Sequence, residues 1–186
     1  LRLAQSFDQD VSQIKARLPH IKTKYRTEKK PGMRTYHHLS PGTEVVFLKG
    51  TPDYVLAKCG FQLTLAGVTP LTNTVLQDLR RANDTYARQG LRVLGLAKKT
   101  QSASPGPAAF GPAVPGPAVP NTNGYTWLGL VAMQDQTRPG VDQLVDQLHR
   151  AGIRTVLLTG DQKITAATVA HELGVADGNP IVVTDA

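Results

Sequence analysis

The chain has 186 residues, room for one medium domain or for one domain and part of a second. Hydrophobic residues make up 40%, which argues against global disorder, and apolar runs such as Val45–Leu48 and Leu128–Met133 fall far short of the about 20 residues that a membrane-spanning helix requires. A net charge of +7 admits acidic partners, while the single cysteine, Cys59, excludes an internal disulfide framework or a cysteine-rich zinc site and agrees with a reducing cytosol.

No basic-then-apolar leader opens the chain, so the piece is expected to be soluble. Leu3, Phe7, Val11, Ile14 and Leu18 recur at helical spacing and predict one helix from Leu1 to about Leu18, broken by Pro19. A basic run follows: Lys15, Arg17, Lys22, Lys24, Arg26, Lys29, Lys30 and Arg34 stand against only Glu28. Charge alone leaves four readings open here, namely a nucleic-acid backbone, an acidic lipid surface, nucleotide phosphates, or a solvated loop.

Met33–His38 and Thr43–Lys49 read as two strands joined by a turn at Pro41-Gly42. Thr51 then suits an N-cap and Pro52 a first helical position, with the helix ending at Gly60. Val75, Leu76, Leu79, Ala82 and Tyr86 mark the packed face of a longer helix, Asn73–Gln89, with Gly90 as its left-handed cap. Leu91–Ala97 reads as an apolar strand interrupted by Arg92.

Residues 101–123 form a Pro/Gly/Ala-rich insert in which six prolines fall between Pro105 and Pro120, and a mobile, partly extended loop is expected there. Tyr125–Met133 reads as a strand returning to the first domain's sheet. Helix Val141–Ala151, strand Ile153–Leu158, the loop Thr159-Gly160-Asp161, helix Lys163–Leu173 and a strand near Ile181–Val183 follow. That alternation is the grammar of a doubly wound parallel sheet. The expectation is therefore an α/β chain: an antiparallel sheet with flanking helices over residues 1–134, then an incomplete doubly wound unit over 135–186.

Three places can carry chemistry. Thr159-Gly160-Asp161 sits where a parallel strand meets a helix N-terminus, an edge that favours phosphate. Lys49-Gly50 ends a buried strand, so the ammonium can reach a phosphate or a purine ring; a solvated lysine before a helix cap has the same pattern. Arg92 can hold phosphate bidentately or lie on a solvated face. No Gly-x-x-x-x-Gly-Lys-Ser/Thr loop is present, the five histidines form no metal-ligand pattern, and no Ser–His–Asp arrangement can be assembled by spacing.

These signals coincide with one family. Lys49-Gly50-Thr51-Pro52-Asp53 through Cys59 resembles the KGAPE…C signature of P-type cation-transporting ATPase nucleotide domains, and Gly90–Ala97 resembles their GLRVLA strand. Gly129–Pro139 is similar to the hinge into the phosphorylation domain, and Ala151–Val175 is similar to the AGI…TGD…TA segment. The resemblance implies a nucleotide domain followed by the start of a dehalogenase-like phosphorylation domain. It implies ATP as ligand, with Mg2+ in the intact protein and no metal site within the fragment. It also implies Tyr25 as the adenine-stacking aromatic, with Lys30, Lys49, Gly50, Arg92 and Leu94 at the nucleotide. Asp135 and Arg138 fall at the hinge, where Gln136-Thr137 replace the usual Pro-Pro. Thr159, Gly160 and Asp161 match the loop facing the transferred phosphoryl group.

The DKTGT motif that holds the family's phosphorylated aspartate is absent, as is its GDG.ND magnesium element. The chain thus reads as a fragment, inactive alone, of the cytoplasmic part of an integral membrane pump. Its expected partners are ATP and the pump's other phosphorylation, actuator and transmembrane parts, with no nucleic acid expected. The alternatives are a basic nucleic-acid-binding module built on Lys15–Arg34, and a stand-alone dehalogenase-like phosphatase, which the missing nucleophile motif disfavours.

Overall fold

The computed structural model describes residues 9–27, 30–102, 124–134, 137–160 and 162–175. The elements, in chain order, are α1 (Val11–Arg17), β1 (His20–Lys24), β2 (Gly32–Ser40), β3 (Thr43–Gly50), α2 (Pro52–Leu56), β4 (Cys59–Thr64), β5 (Gly67–Pro70), α3 (Asn73–Ala87), β6 (Arg92–Ser102), β7 (Tyr125–Met133), α4 (Val141–Arg150) and α5 (Lys163–Glu172). The strands form one seven-stranded sheet in the order β1-β2-β3-β6-β7-β4-β5. Pairing is antiparallel between β1 and β2, β2 and β3, β3 and β6, and β4 and β5, whereas β4 and β7 run parallel. The chain divides into two compact units, one of Leu1–Asn73 with Gly95–Gly129 and the other of Thr74–Leu94 with Leu130–Ala186.

In the first unit the sheet has a covered face and an open one, and strand alternation decides which side chain goes where. Val46, Leu48, Gly50 and Ala97 turn to the covered face, where α2 adds Pro52, Val55 and Leu56, all buried. Burying Leu48, Val46 and Val55 to below 2% exposure contributes about 1.5–3 kcal/mol each. Cys59 closes this core and donates its thiol proton to the Val55 carbonyl at 3.2 Å.

Three glycines fall in one ladder row, Gly32 opposite Gly50 and Gly50 opposite Gly95. Their missing side chains leave room for two aromatic rings: Tyr54 lies against Gly32 and Gly50, and Trp127 against Gly95. A β-carbon at Gly95 would meet Cη2 and Cζ3 of Trp127 at 2.8 Å. Gly in a strand interior normally weakens it; here it admits the close approach of another side chain.

In the second unit α3 and α5 are tied by a reciprocal amide pair. Asn83 Nδ2 donates to Gln162 Oε1 at 3.0 Å, and Gln162 Nε2 donates to Asn83 Oδ1 at 3.2 Å. The Thr165 hydroxyl donates to the Leu91 carbonyl at 3.1 Å, so both buried polar residues, Asn83 and Thr165, are satisfied. Gly90 is the expected left-handed position after α3, with φ at +72°. α4 buries Val145 and carries a two-point Arg150–Asp146 pair on its exposed side.

Several expectations are corrected. Among the described residues the first helix begins at Val11, where the Asp10 carboxylate caps it, accepting from the backbone N–H groups of Ser12 and Gln13; residues 1–8 of the expected helix lie outside them. Part of the basic run forms β1. The helix that opens at Pro52 ends at Leu56, and Gly60 belongs to β4. α4 and α5 form, but residues 153–158 join no ladder; Val156 is 79% and Leu158 90% exposed. A parallel strand needs a neighbour for its N–H and C=O groups, and among the described residues no strand pairs with this segment. The doubly wound sheet is thus not formed among the described residues. The proline-rich insert and the strand near Ile181 lie outside them.

Candidate functional site

The apolar run Val45–Leu48 makes β3 an interior strand, paired along its whole length by β2 and β6. Alternation then aims its last side chain, Lys49, away from the core. Lys49 is exposed, whereas Leu48 and Gly50 on either side are buried. Lys49 is in register with Met33 on β2 and Leu96 on β6; the next row along the same face is Thr35, Phe47 and Lys98. Met33, Phe47 and Leu96 are each half-buried, forming an apolar floor edged by two ammonium groups. Such a surface accepts a flat apolar ring at its centre and negative charge at its margin.

Gly50 follows Lys49 with no side chain, and a β-carbon there would meet the Pro31 carbonyl at 3.1 Å and Gly32 Cα at 3.2 Å. It therefore fixes how closely β3 and β2 approach just before the chain turns into α2. Thr51 stands at the N-cap of α2 as predicted, but its hydroxyl makes no capping hydrogen bond; buried Pro52 at the first helical position starts the helix. Tyr25, in the β1–β2 connection, is 75% exposed and free of the core. Lys30, also exposed, closes a one-bridge turn with Thr27 in the same connection.

β6 alternates sharply. Val93, Gly95 and Ala97 are buried, while Arg92 is exposed and Leu94 and Leu96 are half-buried on its other face. Arg92 and Leu94 belong to the second unit, whereas Leu96, opposite Lys49, belongs to the first. Arg138, Thr159 and Gly160 are exposed residues of the second unit. Asp135 and Asp161 lie outside the described residues.

The profile of the P-type ATPase cytoplasmic domain N matches residues 1–140. The chain belongs to the P-type cation-transporting ATPase family. A calcium-transporting ATPase of Listeria monocytogenes is 29% identical over 152 residues, which is 82% of this chain and 16% of that protein. The sodium/potassium-transporting ATPase alpha subunit of Hydra vulgaris is 30% identical over 73% of this chain and 13% of its own length. A plasma-membrane-type calcium-transporting ATPase of Oryza sativa is 32% identical over 76% of this chain and 13% of that protein. The chain spans about a sixth or less of these P-type ATPases.

The family uses ATP, and Lys49, Met33 and Leu96 offer features that suit a nucleotide, an apolar floor beside a cation. Among the described residues no group of three or more His, Cys, Asp or Glu side chains is placed to hold a metal ion. No helix among them is long and apolar enough to cross a membrane.

Sequence reasoning missed the aromatic and cationic residues of the covered face. Arg34 Nη2 donates to Tyr54 Oη at 3.0 Å, and Lys99 lies 5.1 Å from the Tyr125 ring centre. Nothing in the linear sequence links Arg34 to Tyr54 or Lys99 to Tyr125, because strand register and the α2 turn bring them together.

Proposed function

We propose that this chain is the ATP-binding portion of a cation-transporting pump, with the open face of its sheet as the nucleotide surface. Tyr25 stacks on adenine, Lys30 and Lys49 approach the phosphates or the ring edge, and Gly50 keeps the backbone close. From the second unit, the family resemblance alone adds Arg92 as a guanidinium fork and Leu94 as an apolar contact. The observation that carries this reading is Lys49: an exposed ammonium on a half-apolar sheet face, at the end of an otherwise buried strand.

In the parent protein, the γ-phosphoryl group of ATP passes to an aspartate outside these residues, and the resulting aspartyl phosphate drives cation movement. Positioning and charge neutralisation dominate such transfers. Thr159, Gly160 and Asp161 face the transferred group, with Thr159 donating its hydroxyl, and Arg138 with Asp135 marks the passage from a nucleotide domain of residues 1–134 to a phosphorylation domain from 135 onward. Residues 153–158 become a buried parallel strand there, which accounts for apolar side chains that are exposed in this chain. Mg2+ belongs to that complete site.

Calorimetric titration of the chain with ATP, repeated for Lys49→Ala, tests the reading. Saturable binding weakened by the substitution, in a variant that keeps its fold, supports it; equal affinity for both proteins contradicts it.

We place a nucleic-acid reading of the basic run second, because its described residues are divided among elements. Lys15 and Arg17 lie on α1, Lys22 and Lys24 lie beside the Tyr36 ring on β2, and Arg34 is held by Tyr54. Salt-dependent oligonucleotide binding that ATP leaves unchanged would revive that reading.

A further inference from the structure

The covered face of the first unit bears a concentration of positive charge that the nucleotide surface does not explain. Two adjacent ladder rows run across it: Lys24, Arg34, Leu48 and Ala97, then Lys22, Tyr36, Val46 and Lys99. Arg34 donates to the Tyr54 hydroxyl at 3.0 Å, and Tyr125 is close enough to act on its charge. Lys99 stands 5.1 Å from the Tyr125 ring centre, and Lys22 and Lys24 stand 4.8 Å and 5.6 Å from that of Tyr36. The Tyr36 and Tyr54 hydroxyls both bear electrostatically on Tyr125. A guanidinium and an ammonium thus sit among three phenols, all within one compact unit.

Phenols are neutral at physiological pH and do not themselves balance a positive charge. Burial and the nearby Arg34 push the Lys99 ammonium below its ordinary range, and no carboxylate is among the groups acting on either cation. The acid of this face, Glu44, lies one row beyond Val46 and is buried, accepting from Gln101 at 3.1 Å. Two like charges that act on one another, with no carboxylate among the described residues acting on either, favour an anion.

We propose that Arg34, Lys99 and the hydroxyls of Tyr36, Tyr54 and Tyr125 form a second site, on the face opposite Lys49, that binds a phosphate group. The donor set fits a tetrahedral, multiply charged oxyanion better than a carboxylate. The guanidinium offers a fork, the ammonium three protons, and each phenol O–H can rotate toward the ligand. Arg34 and Lys99 are only half-buried, so the anion can reach them from solvent. The same chemistry is met in a free polyphosphate and in a phosphorylated lipid headgroup. The site is independent of the nucleotide reading, since no residue is shared.

The test uses the full chain and inorganic pyrophosphate, followed by calorimetry and by the NMR titration of the lysine side chains. Binding is expected, with the Lys99 pKa rising on saturation. Lys99→Gln, and separately the isosteric pair Tyr36→Phe with Tyr125→Phe, should weaken it at least tenfold, while Lys15→Gln, at an exposed position on α1, leaves it within twofold. Vesicles of phosphatidylcholine with and without phosphatidylinositol 4-phosphate then separate the sources. Co-sedimentation only with the phosphorylated lipid, lost in Lys99→Gln, assigns a headgroup; pyrophosphate binding without co-sedimentation assigns a soluble phosphate. No pyrophosphate binding, or binding removed by Lys49→Gln and indifferent to Lys99→Gln, overturns the proposal.

Discussion

Replacing Gly95 by alanine would place a methyl group 2.8 Å from Cη2 and Cζ3 of Trp127 and 3.1 Å from the Cα of Pro52. Favourable carbon–carbon contact begins near 3.5 Å, so all three approaches are repulsive. Neither neighbour can retreat easily: Trp127 is 3% exposed, and Pro52 is fully buried at the start of α2, where its backbone is the atom in the way. Overpacking of this kind costs about 1–3 kcal/mol. Loss of glycine's freedom in the unfolded chain offsets about 0.4–1 kcal/mol of it. A net loss of about 1–2 kcal/mol is expected, which moves the urea midpoint down by roughly 0.5–1 M for an ordinary urea dependence. Trp127 is the chain's one tryptophan, so its fluorescence reports both the unfolding transition and the local disturbance. Gly160→Ala is the comparison: nothing lies within 4 Å of a β-carbon there, and stability should change by no more than about 0.5 kcal/mol. An unchanged or raised midpoint for Gly95→Ala, with Trp127 emission unmoved, would refute the account of the glycine row.

Other outcomes follow from the same structure. Lys49→Ala should weaken ATP binding about 10- to 100-fold, the worth of one charge-assisted hydrogen bond, with an unchanged urea midpoint; calorimetry beside denaturation checks both. Burial pushes the Cys59 thiol up to about 12, from an ordinary value of 9.0. The folded chain therefore keeps a proton that the unfolded chain releases, so this contribution to stability is intact below about pH 9 and falls as pH rises toward 12. Cys59→Ala should flatten that alkaline loss, and Cys59 should resist thiol reagents at pH 8 until the chain unfolds. Asn83→Ala removes both hydrogen bonds to the Gln162 amide, leaving Nε2 its longer 3.5 Å bond to the Val93 carbonyl, and should destabilise the α3–α5 contact by about 1–3 kcal/mol, read as faster amide exchange in α5. The chain with ATP and magnesium should show no turnover, because it carries no DKTGT motif; turnover abolished by Asp161→Asn would point to an independent enzyme.

The parts of the fold legible in the sequence are those with strong local signals. Pro41-Gly42 between two apolar runs marks the β2–β3 hairpin, and the spacing from Val75 to Tyr86 with Gly90 marks α3. Tyr125–Met133 is found as a strand within the sheet, next to β6 and parallel to β4. β1 was hidden because an edge strand of His20-Ile21-Lys22-Thr23-Lys24, with one apolar residue, has no apolar period and looks like part of a charged loop. β4 and β5 were missed because Gly60 resembles a helix stop, and because their link through the exposed Leu65 carries little turn signal. Residues 153–158 erred in the other direction: apolar content suggests burial, but a strand also needs a partner, which composition does not report. Lys49 could be picked out from its place after Val45–Leu48. Its neighbours Met33 and Leu96, and the whole Arg34–Tyr54–Tyr125 cluster, depend on cross-strand register and were not accessible from spacing along the chain.

The central claim is that the open face of the sheet around Lys49 holds a nucleotide. Amide chemical-shift mapping of the labelled chain during titration with ATP tests it most directly. The account predicts saturable shifts concentrated at Tyr25, Met33, Lys49, Gly50, Arg92, Leu94 and Leu96, which disappear together in Lys49→Ala. Shifts gathered instead on α4 around residues 141–151, or unaffected by the loss of Lys49, would contradict it.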